Sequence, residues 1–407
     1  MMEFLTPEQK LLVTLSRVSL SSAQISNLEI LLVQNIDWSK VYDLSIRHGV
    51  TPLVYQSLAK SKHLQNVPED IRNQFRNTSL QNLARNMKRY TELEEILKKF
   101  ESNGVRIVIL KGAALAKNVY GDIGLRVFGD IDLLVNRDSL STAISTMRDA
   151  GFALIPGHYP VPDHLNEELG CEWSFYNEDT VIEIHWNLID TLAPFNLDPQ
   201  ELFRDAVSLQ LDSMESLSLS PEYELLHLCI HQFKHHWDRL RDLCDINELI
   251  ISHQNKFDWD KILEISRKAN ADKSVFFTLL LTKRIMDAPI PETALRNLCQ
   301  RVNPGKLSWS LYRLIESNIL AFEAPHGFWP VILVDGFSNK MKIVLDTIKS
   351  QDNSDQADKP LDSKKNSQSP IRTFADTFHS ILAYRKLLGQ LTMLVVGSLT
   401  GKKRNIF

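Results

Sequence analysis

The 407-residue chain has only four cysteines, Cys171, Cys229, Cys244 and Cys299, and no CxxC pair among them. That usage excludes a disulfide framework, suggests no thiolate zinc site, and suits a reducing cytosol. An excess of either charge is also missing. The 46 Lys and Arg stand against 50 Asp and Glu, a formal charge of −4, so the totals do not describe a polyanion-coating protein and any nucleotide contact has to be local. No basic stripe with interleaved aromatics runs along the chain, which disfavours a long nucleic acid as partner. Long apolar runs are absent too: Leu391 to Leu399 falls well short of the roughly 20 residues that a bilayer requires. The opening MMEFLTPEQKLLVTL lacks the basic patch and apolar core of a signal peptide. With 15 Gly, 16 Pro and no internal repeat, collagenous and low-complexity classes are excluded. The expectation is a soluble, cytoplasmic protein of two or three folding units with no integral membrane association.

What is present falls into regions. Over residues 1–100 apolar positions recur at helical spacing (Leu28, Leu31, Leu32; Val41, Leu44; Val54, Leu58), with Thr6 and Pro7 placed as cap and first residue of the opening helix. Between 101 and 215 the pattern changes to short β-branched runs. VRIVIL (Val105 to Leu110) passes through Lys111-Gly112 into a helix former. GDIDLLV (Gly129 to Val135) and FALI (Phe152 to Ile155) follow, and CEWSFY and TVIEIHWNL flank the turn Asn177-Glu178-Asp179 as a β-hairpin. From 216 to 350 helical spacing returns, opened by Ser220-Pro221-Glu222 and followed by a helix from Trp237 to about Ser252. Residues 351–370 are too polar to offset the entropy of ordering and read as a flexible linker, and 371–407 as a last helix with the basic tail GKKRNIF.

The chemistry is concentrated in the strand-bearing segment. Side chains alternate across a strand, so Asp130 and Asp132 share one face while Ile131, Leu133 and Val135 turn to the core. A DxD pair alone says little: Asp258-Trp259-Asp260 in the same chain reads as a solvated helix start. Glu183, in Val181 to Trp186, changes the weighting, because it adds a third acid on the same side as His185. Three converging carboxylates repel one another, and divalent cations such as two Mg²⁺ ions would resolve the repulsion and activate an attacking hydroxyl. Lys111-Gly112 at a strand-to-helix turn offers backbone N–H groups, and Lys111 and Arg126 offer cations, for phosphate oxygens. His185 either orients an acceptor, hydrogen-bonds a ligand carboxylate, or packs half-buried near Trp173 or Phe175. A helical series, His227, His231 and His235, is followed by Asp238, Asp242 and Asp245; it is a poor match to a His-Asp metal site, and this helix pair either lines an acceptor cleft, with Arg239 and Arg241 meeting phosphate, or simply packs.

The order KGxAL, Tyr, Arg, DIDLLV and IEIHW, with WSKVYDLSIRHGVTPLVYQSL before it and WDRLRDLCDI after it, resembles the uncharacterised nucleotidyltransferase family of the DNA polymerase beta-like superfamily, a relative of the abortive-infection nucleotidyltransferase toxins. The resemblance spans roughly residues 30 to 250. It implies an α/β (α+β) polymerase beta-like nucleotidyltransferase core with a mixed sheet, flanked by N- and C-terminal all-α regions. It further implies Asp130, Asp132 and Glu183 as ligands of Mg²⁺, two ions in the superfamily, with Glu183 base-like. Gly112 becomes the phosphate-loop glycine, with Lys111 and Arg126 on phosphate. Two departures stand out: Ala113 occupies the position of the superfamily serine, and the third acid is Glu rather than Asp. The implied reaction moves a nucleoside monophosphate from an NTP to an acceptor (small molecule, peptide, tRNA or protein). Phosphoryl transfer on the same fold, or non-catalytic nucleotide binding as a scaffold, are the alternatives.

Overall fold

In the computed structural model the chain divides into two units, residues 1–350 and 351–407. The structure describes residues 5–155, 170–178, 180–189, 195–234, 237–254 and 256–305 with a few isolated neighbours, so the linker, last helix and basic tail expected beyond 350 lie outside the described residues. The first unit opens with α1 (Pro7–Leu15), α2 (Ser22–Leu32), α3 (Trp38–Arg47), α4 (Thr51–Lys60) and α5 (Glu69–Ser102). The Thr6 cap forms as a capping box: the Thr6 Oγ1 accepts from Gln9 N–H at 3.3 Å, and Gln9 returns its side-chain oxygen to Thr6 N–H at 3.0 Å.

A seven-stranded mixed sheet follows, built from β1 (Ile107–Ile109), β2 (Asp130–Val135), β3 (Ala153–Leu154), β4 (Glu172–Asn177), β5 (Thr180–His185), β6 (Val207–Gln210) and β7 (Glu215–Ser218) in the order β3-β4-β5-β2-β1-β7-β6. Helices α6 (Lys111–Asn118), α7 (Leu140–Asp149) and α8 (Pro199–Arg204) sit between strands in the sequence. β2 runs antiparallel to β1 and parallel to β5, and β4 with β5 is the expected hairpin. The β6–β7 hairpin was not expected; it carries the sheet to Ser218 by pairing β7 parallel to β1. Its short strands, mostly of Ser, Leu, Gln and Glu, lack the β-branched run that marks β1.

Helices α9 (Pro221–Lys234), α10 (Leu240–Ser252), α11 (Trp259–Lys268), α12 (Asp272–Met286) and α13 (Glu292–Val302) close the described chain. Pro221 opens α9 as expected, although the Ser220 hydroxyl makes no hydrogen bond there. α10 begins at Leu240 rather than Trp237, because Trp237 is left-handed (φ 53°) and its indole N–H donates to Thr278 at 2.9 Å. Asp258 caps α11 through Lys261 N–H at 2.9 Å, the solvated helix start expected of that second DxD. Among the described residues no helix is long and apolar enough to cross a membrane.

Two hydrophobic cores explain how the sheet is held. In one, residues of α1–α4 pack with residues of α9–α13 and with Val108 and Leu134 of the sheet. In the other, Ile109, Ile131, Leu133, Val135, Ile182 and Ile184 pack on the second half of α5 and on α7. The alternation along β2 therefore turns Ile131, Leu133 and Val135 to the second core, and turns Asp130, Asp132 and Leu134 toward the first. α5 is 34 residues long, about 50 Å at 1.5 Å per residue, and serves both cores: Phe75 lies in the first, Leu93 and Phe100 in the second. N- and C-terminal helices also meet directly, where the His48 ring nitrogen accepts from Leu240 N–H at 3.2 Å. Gly49 beside it needs its positive φ of 66°, and a Cβ there would touch Arg241 at 3.4 Å.

Candidate functional site

The strand-to-helix turn is anchored where Leu110 N–H donates to Asp132 C=O at 2.9 Å. Lys111 follows in the left-handed region (φ 35°), a conformation that costs a non-glycine residue about 1–3 kcal/mol and that surrounding structure must enforce. Its ammonium lies 2.9 Å from Asp132 Oδ1. Gly112 has a reason to lack a side chain: a Cβ would stand 3.0 and 3.1 Å from Phe128 Cβ and Cγ and 3.2 Å from Arg126 Nη1. Close approach at this glycine is thus used by Phe128 and Arg126. Tyr90 of α5 donates its hydroxyl to Ala113 C=O and fixes the same turn from the other side.

Parallel pairing of β2 with β5 sets Asp132 beside Glu183, and antiparallel pairing of β5 with β4 sets His185 beside Glu172. All four side chains share one face. His185 is 3 % exposed and lies among three carboxylates: Nε2 is 3.1 Å from Asp132 Oδ1 and 3.4 Å from Glu183 Oε2, and Nδ1 is 3.2 Å from Glu172 Oε2. Burial alone would discharge this imidazole, but the Glu172 charge and the bond to Asp132 outweigh it and hold His185 well above its ordinary value. Burial likewise works against the Asp132 carboxylate and is outweighed by Lys111 and His185, which hold it well below the usual range. Glu183 is pushed up, by burial first and then by the charges of Glu172 and Asp132. Lys111 is held above its ordinary value: burial is overcome by Asp132. In this state the cluster neutralises itself with an ammonium and an imidazolium.

Two groups of potential ligand atoms lie within 4.8 Å of one another among the described residues: Asp132, Glu183 and His185, and Cys171, Glu172 and His185. The oxygen-rich first group fits a hard divalent cation. Asp130 belongs to neither group; it stands half-buried at the head of β2, and its charge acts on Arg89.

Arg126 is placed against Gly112, but its guanidinium is engaged elsewhere. Nε and Nη2 donate to Asp245 Oδ1 and Oδ2 at 2.8 and 2.7 Å, and Tyr120 donates its hydroxyl to Asp245 Oδ1 at 2.7 Å. The loop carrying Arg126 is held by a stripe on α5. Asn82 donates to Gly124 C=O at 2.8 Å, Asn86 to Ile123 and Arg126 C=O at 2.6 and 2.9 Å, and Arg89 to Phe128 C=O at 2.8 Å. The spacing i, i+4, i+7 puts these three on one helix face, a signal that a search for polar residues at helical period would have found. Glu224 of α9 had no such signal. It is buried with no partner for Oε1, and burial pushes its carboxyl up to about 8 in the field of Arg126, Asp245, Lys111 and Asp132.

The histidine series of α9 forms no metal group among the described residues: His227 and His231 meet ring edge to face at 6.3 Å, and His235 lies outside them. The acids of α10 pair with arginines instead, Asp245 with Arg126 and Asp242 with Arg241 at 3.1 Å. Arg241 also donates to Val127 C=O at 3.1 Å, so it secures the loop ahead of the DxD strand.

A protein family described as uncharacterised nucleotidyltransferase matches residues 34–287. Among solved structures, the antibiotic-resistance factor ANT(2'')-Ia is similar at 11 % identity and a TM-score of 0.33, over 45 % of this chain and 91 % of that one. An antigenic nucleotidyltransferase-like protein from Paracoccidioides brasiliensis is similar at 17 % identity and a TM-score of 0.32, over 51 % of this chain and 96 % of the other. No curated protein matches the chain.

Proposed function

Because the chain belongs to the uncharacterised nucleotidyltransferase family, we propose that it moves a nucleoside monophosphate from an NTP to an acceptor hydroxyl and releases pyrophosphate. The observation that carries this reading is the register of β2 against β5, which sets Asp132 beside Glu183 with the Lys111 ammonium on the same carboxylate. Asp132 and Glu183, with Asp130 at the strand head, would hold Mg²⁺, and the ion would supply charge neutralisation at the phosphates and a more acidic acceptor hydroxyl. The oxygen donor set of these residues suits that ion.

The remaining roles belong to the chain. Backbone N–H groups at the start of α6 point a helix N-terminus at phosphate oxygens, and Ala113 leaves that contact to the backbone alone. Lys111 adds a point charge beside Asp132. Arg126 acts chiefly by fixing the turn, its fork being held by Asp245. Glu183, with its proton affinity raised, receives the acceptor proton at Oε2 as the acceptor oxygen bonds to the α-phosphorus and pyrophosphate leaves. His185 holds the Asp132 and Glu183 carboxylates in place and borders the acceptor. The four cysteines form no disulfide, which suits a reducing cytosol.

Purified protein incubated with α-labelled NTPs, Mg²⁺ and candidate acceptors tests this. Label transfer with pyrophosphate release is expected, lost in Asp130→Ala and Asp132→Ala. Equal labelling by those variants would overturn the assignment, and accumulation of a nucleoside diphosphate would replace nucleotidyl by phosphoryl transfer.

A further inference from the structure

The spacing of the cysteines suggests no zinc site, yet folding brings Cys171 to the last residue of β5. Trp186 N–H donates to Cys171 C=O at 2.9 Å, which holds the Cys171 backbone against that strand. Glu172, the next residue, pairs in register with His185. The three ligand atoms, Cys171 Sγ, Glu172 Oε2 and His185 Nδ1, are mutually within 4.8 Å. Cys171 and His185 are both buried, and His185 Nδ1 faces Glu172 Oε2 without a well-aligned hydrogen bond.

We propose that Cys171, Glu172 and His185 form a second metal site, for a borderline-soft divalent ion of the Zn²⁺ type, distinct from the oxygen-ligated site on Asp132 and Glu183. Two of the three ligand separations are near those around a tetrahedral ion. With Zn–N and Zn–O near 2.1 Å and Zn–S near 2.3 Å, ligand atoms lie about 3.4 Å apart for nitrogen with oxygen and about 3.6 Å for oxygen with sulfur. The observed separations are 3.2 Å from His185 Nδ1 to Glu172 Oε2 and 3.8 Å from Cys171 Sγ to the same oxygen. Glu172 and His185 lie on paired strands and Cys171 immediately precedes β4, so one hairpin holds all three. Thiolate and imidazole select Zn²⁺ over Mg²⁺, which keeps to oxygen ligands. As the metal binds, two protons leave to solvent, one from the Cys171 thiol and one from Nδ1 of the His185 imidazolium, and coordination at Nδ1 leaves Nε2 as the N–H that donates to Asp132 and Glu183. The ion would then fix the imidazole as a carboxylate–histidine–metal relay between the β4–β5 hairpin and the acidic cluster.

Because Zn²⁺ binding there requires no nucleotide, its test is independent of the transfer reaction. Full-length, metal-stripped protein is titrated with Co²⁺ as a spectroscopic stand-in, then with Zn²⁺ in competition, with and without excess Mg²⁺. The expected result is a near-ultraviolet thiolate-to-cobalt band that Zn²⁺ removes and Mg²⁺ does not, with the band absent in Cys171→Ser. Zn²⁺ binding should weaken about tenfold or more in both Cys171→Ser and Glu172→Gln. Cobalt binding without a thiolate band, a band that survives Cys171→Ser, or Zn²⁺ affinity unchanged in both variants would overturn the site. Far-ultraviolet circular dichroism checks that each variant is folded; should Cys171→Ser fail to fold, the wild-type cobalt spectrum and Glu172→Gln still decide.

Discussion

Arg126 and Asp245, 119 residues apart in sequence, meet as a buried two-pronged ion pair at 2.8 and 2.7 Å. The pair joins the loop ahead of the DxD strand to α10, and Tyr120 closes it with a third hydrogen bond. Removing one partner of such a pair leaves an uncompensated buried charge, which costs about 3–5 kcal/mol. Asp245→Ala should therefore lose stability by that order in denaturant unfolding. Arg126→Lys, which keeps the charge but not the fork, should lose less.

His185 and Lys111 already neutralise Asp132. A divalent cation at Asp132 and Glu183 has to displace a positive charge, and His185, held protonated by its neighbours, is the group that can release one as a proton. Calorimetric titration of metal-stripped protein with Mg²⁺ in two buffers of different ionisation enthalpy should show proton release near neutral pH, and the release should vanish in His185→Gln. Buffer-independent heats would count against this linkage.

Glu224 binds its proton more tightly in the folded chain than in the unfolded one, with its carboxyl moved from 4.5 to about 8. The folded state therefore holds the extra proton between those values, and the stabilisation present at low pH is lost as pH rises through that window. Glu224→Gln should flatten the fall of melting temperature from pH 5 to pH 8 and raise the melting temperature at the alkaline end. An unaltered slope would show that Glu224 is ionised without penalty.

Gly112→Ala would set a methyl against Phe128 at about 3 Å. Overpacking of this kind costs about 1–3 kcal/mol, and it would move the turn that carries Lys111. Unfolding measurements should show the loss, and transfer activity should fall further than stability alone accounts for.

A good part of this was readable from the residues. Alternation along β2 and β5 is local, so the apolar face and the acid-bearing face were legible before folding, as was the hairpin that brings β4 to β5. The Thr6 cap and the helical start at Asp258 followed from side chains bonding to backbone three residues away. The β6–β7 strands were not legible, because their polar, weakly patterned residues gain strand structure only by adding to an existing sheet edge. Arg126 was legible as a cation near the turn, but its partner on α10 was not.

The sequence by itself determined which residues could share a face, since periods of 2 and 3.6 are properties of the backbone and need no partner. It thereby put Asp132 and Glu183 on acid-bearing faces and marked the strand-to-helix turn, but it did not reveal Glu172, which joins the cluster only by pairing with His185. Only the tertiary structure decided who meets whom. Parallel register put Asp132 beside Glu183, with His185, 53 residues from Asp132, bonded to it. Helix packing put Asp245 on Arg126 and Glu224 beneath the site, and the hairpin turned a scattered cysteine into a neighbour of His185. These pairings depend on burial and charge compensation between distant segments, which no local pattern encodes.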